Sequence, residues 1–217
     1  TSTMRLIFVR HGESEANRLH EFSNSGRKHP LTDKGRLQAE MLAKRLRRQG
    51  VVRIFSSPVL RALETAQIVA DELGLTVSVE EALREYDVGV WEGSTDPAGW
   101  AEYARVDAAW LDPANWGQSM TGGESLLDVR ERFLPFLEQL KTDYAAESGA
   151  ILLVSHGGLY RVMLPLALVN CSPAFTRAHP IPPTGMVSAE TRADGSLICT
   201  GWWDESGGAG PLPRVNF

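Results

Sequence analysis

Short apolar runs alternate with helix-like segments along most of this chain, and that alternation limits the possible folds more than any other feature of the sequence. The runs lie at residues 6–9, 51–55, 75–79 and 151–154. Each is long enough for a strand, and an unbroken apolar run is typical of a strand buried on both faces of a parallel sheet. Parallel strands need crossover helices between them. The pattern therefore predicts an α/β fold in which a largely parallel sheet carries helices on both faces.

Helical patterns occupy four of the intervening segments. They run from the capping residue Thr32 to Gly50, from Ser57-Pro58 to Gly74, over residues 124–141 and near residues 159–169. Pro58 suits a first helical turn because an N–H at that position would have no partner within the helix. The sequence predicts a polar loop over residues 10–30 and an irregular or only partly helical segment over residues 80–123.

The C-terminal part of the chain predicts a β-hairpin. Residues 186–191 and 197–203 resemble strands and flank Asp194-Gly195, a dipeptide that favours a tight turn. We expect this hairpin to add an antiparallel edge to the sheet. Residues 206–217 are rich in Gly and Pro and predict a loosely held tail. All 217 residues are interpreted as a single domain, with a core over about residues 4–204 and a tail over 205–217.

Composition excludes several classes of protein. A hydrophobic content of 43% and a charged content of 23% are close to globular averages, so disorder is not expected. No run approaches the roughly 18 apolar residues of a membrane span, and the first residues lack the apolar stretch of a secretory signal. Cys171 and Cys199 form neither a disulfide framework nor a CxxC pattern, which favours a cytoplasmic location. The formal net charge of −5 argues against a general nucleic-acid binder.

Polar side chains cluster where three of the predicted strands end. Arg10-His11-Gly12-Glu13 and then Asn17 follow the first strand, Ser56-Ser57-Pro58 and Arg61 follow the second, and Ser155-His156-Gly157-Gly158 follow the fourth. In open α/β sheets, ligands bind at the carboxyl ends of the strands. If these strands are neighbours, two histidines and two arginines meet at one place.

Such a set favours an oxyanion, most naturally a phosphate. Arginine side chains and helix N-termini attract phosphate or carboxylate groups. An imidazole beside a bound phosphoryl group can attack phosphorus and hold it covalently. The surrounding positive charge should lower the pKa of that histidine, which keeps the ring neutral and nucleophilic.

Other interpretations of these residues stay open at this point. A histidine at a strand end is often a hydrogen-bonded structural residue, and Arg61 can instead pair with Glu64 or Glu85 at the surface. Metal binding is disfavoured because neither HxH nor HExxH occurs, so no metal and no cofactor are expected. Loop or core positions are predicted for the histidines that lack a comparable context, His20, His29 and His179.

Seven sequence blocks stand in a defined order along the chain. They are LIFVRHGESEAN at residues 6–17, LTDKG at 31–35, SSPVLRA at 56–62, LRE at 83–85, GVWEG at 89–93, GGES at 122–125 and VSHGG at 154–158. In this order they resemble the motifs of the histidine phosphatase superfamily, also called phosphoglycerate-mutase-like. The resemblance implies a three-layer α/β/α sandwich, in agreement with the alternation of strands and helices.

The same resemblance implies roles for single residues. His11 is expected to be the nucleophile that becomes phosphorylated, and Glu85 is expected to be the proton donor. The rest of the phosphate pocket is expected to comprise Arg10, Asn17, Arg61 and His156.

Glu85 is the least constrained of these assignments. A carboxyl group that donates a proton needs a raised pKa, which burial near Trp91 or Tyr86 would provide, whereas nearby arginines would lower the pKa. The sequence leaves this balance open. Glu13 and Glu92 are the rival candidates.

Three functions fit these motifs. We expect a phosphomonoesterase that acts on a small phosphorylated metabolite, because the chain is compact and its GVWEG segment resembles the phosphatase branch. A cofactor-dependent phosphoglycerate mutase is the main alternative, although it favours extra lid segments that keep water from the phosphohistidine. A phospho-ligand-binding domain without activity is disfavoured, since both histidines and both arginines are present.

Substrate specificity is assigned to segments outside the phosphate pocket, at residues 18–30, 92–123 and 177–184. The first segment is basic, which indicates either a site for a second anionic group or, as we favour, a solvated surface. The tryptophan-rich residues 100–116 are expected to pack in the core and to cap the site. The sequence indicates neither the identity of the substrate nor the oligomeric state.

Overall fold

Six strands form one mixed sheet in the computed structural model, which describes residues 3–204 and 206–213. The strands are β1 Arg5–Arg10, β2 Val51–Ser56, β3 Val77–Val79, β4 Ala150–Ser155, β5 Met186–Thr191 and β6 Leu197–Trp203. Their order across the sheet is β3-β2-β4-β1-β5-β6. The first four in that order are parallel, β5 runs antiparallel to β1, and β6 runs antiparallel to β5. The predicted α/β fold with an antiparallel C-terminal edge is confirmed.

The register of the central strands places the ends of β1 and β4 side by side. Arg10 of β1 pairs with Ser155 of β4. The residues that follow them, His11 and His156, therefore leave the sheet next to each other. All six residues of β4 are buried, as expected for a strand covered on both faces.

Helices cover both faces of this sheet. They are α1 Glu15–Leu19, α2 Asp33–Leu46, α3 Leu60–Leu73, α4 Pro97–Ala109, α5 Leu126–Asp143, α6 Gly157–Ala167 and α7 Pro173–Ala178. On one face, side chains of α2 and α3 pack with Ile7, Val9 and Leu152. On the other face, side chains of α5 and α6 pack with Phe8 and Leu153. These two cores complete the α/β/α layers that the sequence predicts.

The structure corrects the sequence predictions at two helices near the first strand ends. The region predicted as a polar loop contains α1, whose five residues are too few to show a periodic pattern. Its signal is a capping box in which Ser14 and Asn17 bond each other reciprocally. Helix α3 begins at Leu60 and not at Ser57-Pro58, because the Ser57 hydroxyl bonds His156 and does not cap the helix.

Further corrections concern α4, α7 and β3. The segment predicted as irregular contains α4, whose start carries a recognisable signal: the Asp96 side chain caps it and Pro97 occupies the first turn. The short α7 was not predicted. Strand β3 is shorter than the apolar run at residues 75–79.

The C-terminal hairpin is formed as predicted, and part of the tail is attached to it. Gly195 has a φ of 84°, which suits the turn. The Asp204 carboxylate accepts hydrogen bonds from the backbone of Ser206 and Gly208, and Ala209 pairs with Trp203. These contacts attach the start of the tail to the hairpin. A loosely held tail stays a prediction, and residues 205 and 214–217 lie outside the described part of the chain. Among the described residues, no helix has the length and apolar character needed to cross a membrane.

Candidate active site

A cavity of about 430 Å³ opens at the carboxyl ends of the central strands. Five of the six residues that the sequence singled out line it: Arg10, His11, Asn17, Arg61 and Glu85. The sixth, His156, is completely buried and does not line the cavity. His156 nevertheless lies directly beside His11, with ring centroids 5.1 Å apart, so its place in the phosphate pocket stays a prediction.

His11 is held as a neutral ring whose unprotonated nitrogen faces Arg61. Its Nδ1 lies 2.7 Å from the Gly12 carbonyl oxygen, which can only accept, so the proton is on Nδ1. Nε2 then carries the lone pair, and it accepts a hydrogen bond of 3.0 Å from Nε of Arg61. Burial, together with Arg61 and Arg10, places the pKa of His11 well below its usual value. The ring is therefore neutral at neutral pH, with Nε2 as the nucleophilic atom.

Two loop carbonyls fix the arginines at the cavity. Nη1 of Arg10 donates to the Ile181 carbonyl at 2.9 Å, and Nη1 of Arg61 donates to the Ser23 carbonyl at 2.5 Å. Nε of Arg10 is buried and has no hydrogen-bond partner among the described residues. Burial lowers the pKa of Arg10, and burial together with Arg10 lowers the pKa of Arg61 to about 10. Both groups stay cationic at neutral pH, and an incoming oxyanion would satisfy the donors that the protein leaves free.

His156 packs against the His11 ring. The two ring centroids are 5.1 Å apart, and the rings meet edge to face. Nε2 of His156 lies 2.7 Å from the Ser57 hydroxyl, whose oxygen accepts the Val59 N–H at 3.2 Å. That hydroxyl can therefore donate to Nε2, which leaves the proton of a neutral ring on Nδ1. Nδ1 is buried and has no partner among the described residues. Burial and the positive charge of Arg61 lower the pKa of His156 well below its usual value.

Glu85 is a buried carboxyl group with only 8% of its surface exposed. Its Oε1 accepts the Tyr86 N–H at 3.0 Å, and its Oε2 accepts the Gly158 N–H at 3.1 Å. Burial raises the pKa of Glu85 against the opposing effects of the Tyr86 N–H and of Arg161. Desolvation therefore outweighs the arginines, which resolves the balance that the sequence left open.

The two rival carboxyl groups point elsewhere. The Glu13 side chain accepts a hydrogen bond from the Thr32 hydroxyl at 2.9 Å. The Glu92 side chain accepts the backbone N–H groups of Asn24 and Ser25. Neither Glu13 nor Glu92 lines the cavity.

Asn17 reaches the cavity from the first helix. Its Oδ1 accepts hydrogen bonds from the backbone N–H and the hydroxyl of Ser14, both at 3.0 Å. These contacts belong to the capping box of α1 and fix the orientation of the amide. One residue therefore both caps the helix and lines the site.

The outer wall of the cavity contains residues of two segments that the sequence assigns to specificity, 18–30 and 92–123, and two residues that it does not single out, Arg161 and Trp202. Besides the expected set, the main ones are His20, Phe22, Trp100, Tyr103, Arg161 and Trp202. Trp100 and Tyr103 come from α4, which supports the interpretation of the tryptophan-rich segment as a cap. The signal for Arg161 was its spacing: it stands one helical turn after Gly157, so both residues face the same side of α6.

Several basic side chains of residues 18–30 form pairs with nearby glutamates. Arg18 pairs with Glu15, and both Lys28 and His29 contact Glu21. The side chains of Arg18 and Lys28 are more than half exposed. Arg18 and Lys28 fit the solvated surface expected for this segment, whereas His29 is buried against Glu21. His20 is a loop residue, as predicted, but it lies at the edge of the cavity.

Together these groups define a site for binding and transferring a phosphoryl group. An electron pair on His11 faces a cavity with two fixed guanidinium groups and a carboxyl group whose pKa is raised. Within residues 3–204 and 206–213, no group of three or more His, Cys, Asp or Glu side chains is arranged to hold a metal ion.

Comparison with known proteins identifies the family. The chain belongs to branch 1 of the histidine phosphatase superfamily, whose model matches residues 6–203. It is 37% identical over 160 residues to a glucosyl-3-phosphoglycerate phosphatase of Mycolicibacterium vanbaalenii, covering 71% of this chain and 70% of that protein. It is 32% identical over 166 residues to a probable phosphoglycerate mutase of Yersinia pestis, covering 71% and 70% of the two chains. The solved structure of a mycobacterial glucosyl-3-phosphoglycerate phosphatase superposes with a TM-score of 0.77 at 26% identity, covering 93% of this chain and 99% of that chain.

Proposed function

We propose that this protein is a phosphomonoesterase that hydrolyses a small phosphorylated metabolite through a phosphohistidine on His11. The observation that carries the proposal is the state of His11: its proton is on Nδ1, and its Nε2 lone pair is held at the cavity by Arg61. Similarity to glucosyl-3-phosphoglycerate phosphatases supports the same class of reaction.

In the first step the phosphoryl group enters between the two arginines. Arg10 and Arg61 neutralise its oxygens, and Asn17 contributes a further polar contact. A phosphoryl oxygen that reaches His156 would accept the hydrogen on its Nδ1, which has no partner among the described residues. Charge that spreads over the phosphoryl oxygens in the transition state is stabilised by these fixed donors.

Transfer to the enzyme follows from the positions of His11 and Glu85. The hydrogen bond from Arg61 Nε to His11 Nε2 breaks as Arg61 turns its N–H to a phosphoryl oxygen. The freed Nε2 lone pair attacks phosphorus in line, and the bond between phosphorus and the ester oxygen breaks. That oxygen keeps the bonding electrons and takes a proton from the Glu85 carboxyl group. The products of this step are phosphohistidine, a free alcohol and the Glu85 carboxylate.

Hydrolysis reverses the role of Glu85. The carboxylate removes a proton from a water molecule while the water oxygen attacks phosphorus. The bond between phosphorus and Nε2 breaks, its electrons return to His11, and inorganic phosphate forms. Glu85 is protonated again, so every group returns to its starting state.

The intermediate gives the direct test of this proposal. Rapid acid-free quenching during turnover should trap a phosphoryl adduct on His11 that is stable in alkali and labile in acid. His11→Ala should abolish the adduct and turnover. His179→Ala is the matched control, because His179 stacks on Phe175 and does not line the cavity. Full activity of His11→Ala, or an adduct on another residue, would refute the proposal.

A mutase is the second candidate function, because one relative is named a probable phosphoglycerate mutase. The two functions share the phosphohistidine and differ in what attacks it. Incubation with 3-phosphoglycerate, with and without 2,3-bisphosphoglycerate, separates them. We expect release of inorganic phosphate; rapid interconversion of phosphoglycerates without release would establish the mutase.

We also propose that the activity needs no metal ion and that the protein acts in the cytoplasm. The arginines supply the positive charge that phosphoryl transfer needs. Both cysteines are free and buried, which supports a reducing compartment. Activity should survive dialysis against EDTA, and loss of activity that a divalent ion restores would contradict metal independence.

A further inference from the structure

A third guanidinium group lines the cavity outside the phosphate-binding residues. It belongs to Arg161 of α6, whose side chain is 22% exposed. Its positive charge is close enough to act on both Arg10 and Glu85, since it lowers the pKa of each. The proposed mechanism gives this group no role.

Arg161 is held rigidly by three neighbours. Nε donates to the Asp107 carboxylate at 3.1 Å. Nη2 donates to the Tyr103 hydroxyl at 2.6 Å and to the Tyr86 hydroxyl at 3.1 Å. The Tyr103 and Tyr86 rings are stacked, with centroids 5.8 Å apart. These contacts leave Nη1, for which no acceptor is found among the described residues.

The charge of Arg161 is only partly balanced. Asp107 is its carboxylate partner, and the same carboxylate also binds Arg177, with Nη2 at 3.0 Å from Oδ1. Two cations therefore share one anion. Arg161 lines the cavity, its Nη1 has no acceptor among the described residues, and its charge is not fully neutralised. A guanidinium in this state can receive an anionic group of a ligand.

We propose that Arg161 is a specificity-determining residue that binds a carboxylate of the substrate while Arg10 and Arg61 hold the phosphoryl group. The proposal rests on the proposed function and adds a substrate class to it: phosphorylated hydroxy or amino acids and their derivatives. A carboxylate fits better than a second phosphate. With Arg177 and Asp107 balancing each other, Arg10, Arg61 and Arg161 carry three positive charges. A phosphoryl dianion and a carboxylate match that charge, whereas two phosphate dianions exceed it. A substrate with a cation at this position is repelled.

The apolar part of the wall is consistent with this class. Trp100 stacks on Phe22 with ring centroids 3.9 Å apart, and Tyr103 meets the Trp100 ring at 5.6 Å. The carbon atoms of these packed rings add apolar surface to the wall beside Arg161. The orientation of a short substrate then depends on its two charged ends, which is the condition under which Arg161 discriminates.

The test compares two probes that differ at one carbon. 3-Phosphoglycerate has a carboxylate where glycerol 3-phosphate has a hydroxymethyl group. Dissociation constants are measured by calorimetry in the His11→Ala background, where neither probe is turned over. We expect 3-phosphoglycerate to bind more tightly, and Arg161→Met to reduce that preference by about 10- to 100-fold, the range expected for a hydrogen bond to a charged group.

Arg177→Met is the matched control, because Arg177 binds the same Asp107 carboxylate and does not line the cavity. It should leave the preference within about 3-fold of the parent. Arg161→Lys keeps the positive charge but lacks the planar set of donors, so it should retain part of the preference for 3-phosphoglycerate. If Arg161→Met does not fold, Arg161→Lys is measured in its place.

Each outcome decides the proposal. Equal binding of the two probes by the parent, an equal loss for both probes in Arg161→Met, or the same selective loss in Arg177→Met would overturn the role of Arg161. These results would leave the proposed phosphatase function intact, because that function is tested separately by the adduct on His11.

Discussion

The pKa values of two residues in this site, His11 and Glu85, are shifted in opposite directions. Burial holds His11 in its neutral form by lowering its pKa, and burial also favours the neutral form of Glu85 by raising its pKa. In both residues, burial therefore favours the form that the proposed transfer step requires: a neutral nucleophile at His11 and a protonated acid at Glu85. Three arginines nearby provide charge without taking part in proton transfer. This separation of roles between neutral and charged groups is what the mechanism requires of single side chains.

Glu85→Gln should affect substrates according to their leaving group. A carboxamide cannot protonate an alkoxide, so kcat/KM for an alkyl phosphate such as glycerol phosphate should fall by about 10²- to 10⁴-fold. p-Nitrophenyl phosphate, whose leaving group needs no proton, should lose much less at the transfer step. The measurement is kcat/KM for both substrates with each enzyme. An equal loss for both would count against Glu85 as the acid.

The pH profile of the wild-type enzyme carries the same information. In the proposed mechanism the protonated form of Glu85 donates the proton, so kcat/KM for an alkyl phosphate should fall as pH rises through its raised pKa. The neutral form of His11 is the active one, and its lowered pKa should place the acid limb below about pH 6.5. Glu85→Gln should remove the alkaline limb, whereas a variant that kept the limb would show that another group causes it.

At the scale of elements, the junction between β4 and α6 sets the position of Glu85. The Gly158 N–H at the start of α6 bonds one carboxyl oxygen, and a Cβ at this position would lie 2.7 Å from that oxygen. The helix can approach the carboxyl group this closely only because the residue is glycine. The first turn of α6 therefore both binds Glu85 and limits the space around it.

Gly158→Ala should displace Glu85 without disrupting the fold. Alanine suits the helix, but its methyl group would push the carboxyl group away from the reacting atoms, and we expect kcat/KM for an alkyl phosphate to fall by about 10- to 100-fold. Gly117→Ala is the control, because a Cβ there meets nothing within 4 Å. Thermal melting should show both variants folded. Unchanged activity of Gly158→Ala would show that Glu85 tolerates the displacement.

The elements also show what the sequence can predict and what it cannot. Buried strands were located to within a few residues because an unbroken apolar run has few alternatives. The start of α3 was misplaced because Ser57 has the chemistry of a cap but bonds His156, a contact between distant parts of the chain. The spacing of Arg161 from Gly157 indicates only which face of α6 it occupies. Its partners are distant in sequence, with Asp107 and Tyr103 on α4 and Tyr86 beside Glu85, and the sequence does not show that they meet.

Across the whole molecule, buried ionisable groups link the site to stability. The two histidines are completely or almost completely buried, at 2% and 0% exposure, and their pKa values lie well below normal. A lowered pKa in the folded state means that the unfolded chain binds protons first as pH falls below 6.5. The free energy of unfolding contributed by each ring is therefore present above that pH and is lost progressively below it.

His11→Gln should flatten this dependence. Between pH 6.5 and 5, the free energy of unfolding of the wild type should fall more steeply than that of the variant, by about 1.4 kcal/mol per pH unit. Above pH 7.5 the imidazole is neutral in both states, so the two slopes should coincide. Chemical denaturation at several pH values provides the comparison. Parallel slopes throughout would mean that the His11 ring takes up a proton without difficulty in the folded protein.

The residues around the cavity fall into two groups that differ in how readily they tolerate substitution. The groups that act on phosphorus stand at or beside the ends of central strands, where a substitution disturbs the sheet, whereas Trp100 and Tyr103 stand on α4, outside the sheet. Substitutions on α4 can therefore change which metabolite binds while the groups that act on phosphorus stay the same.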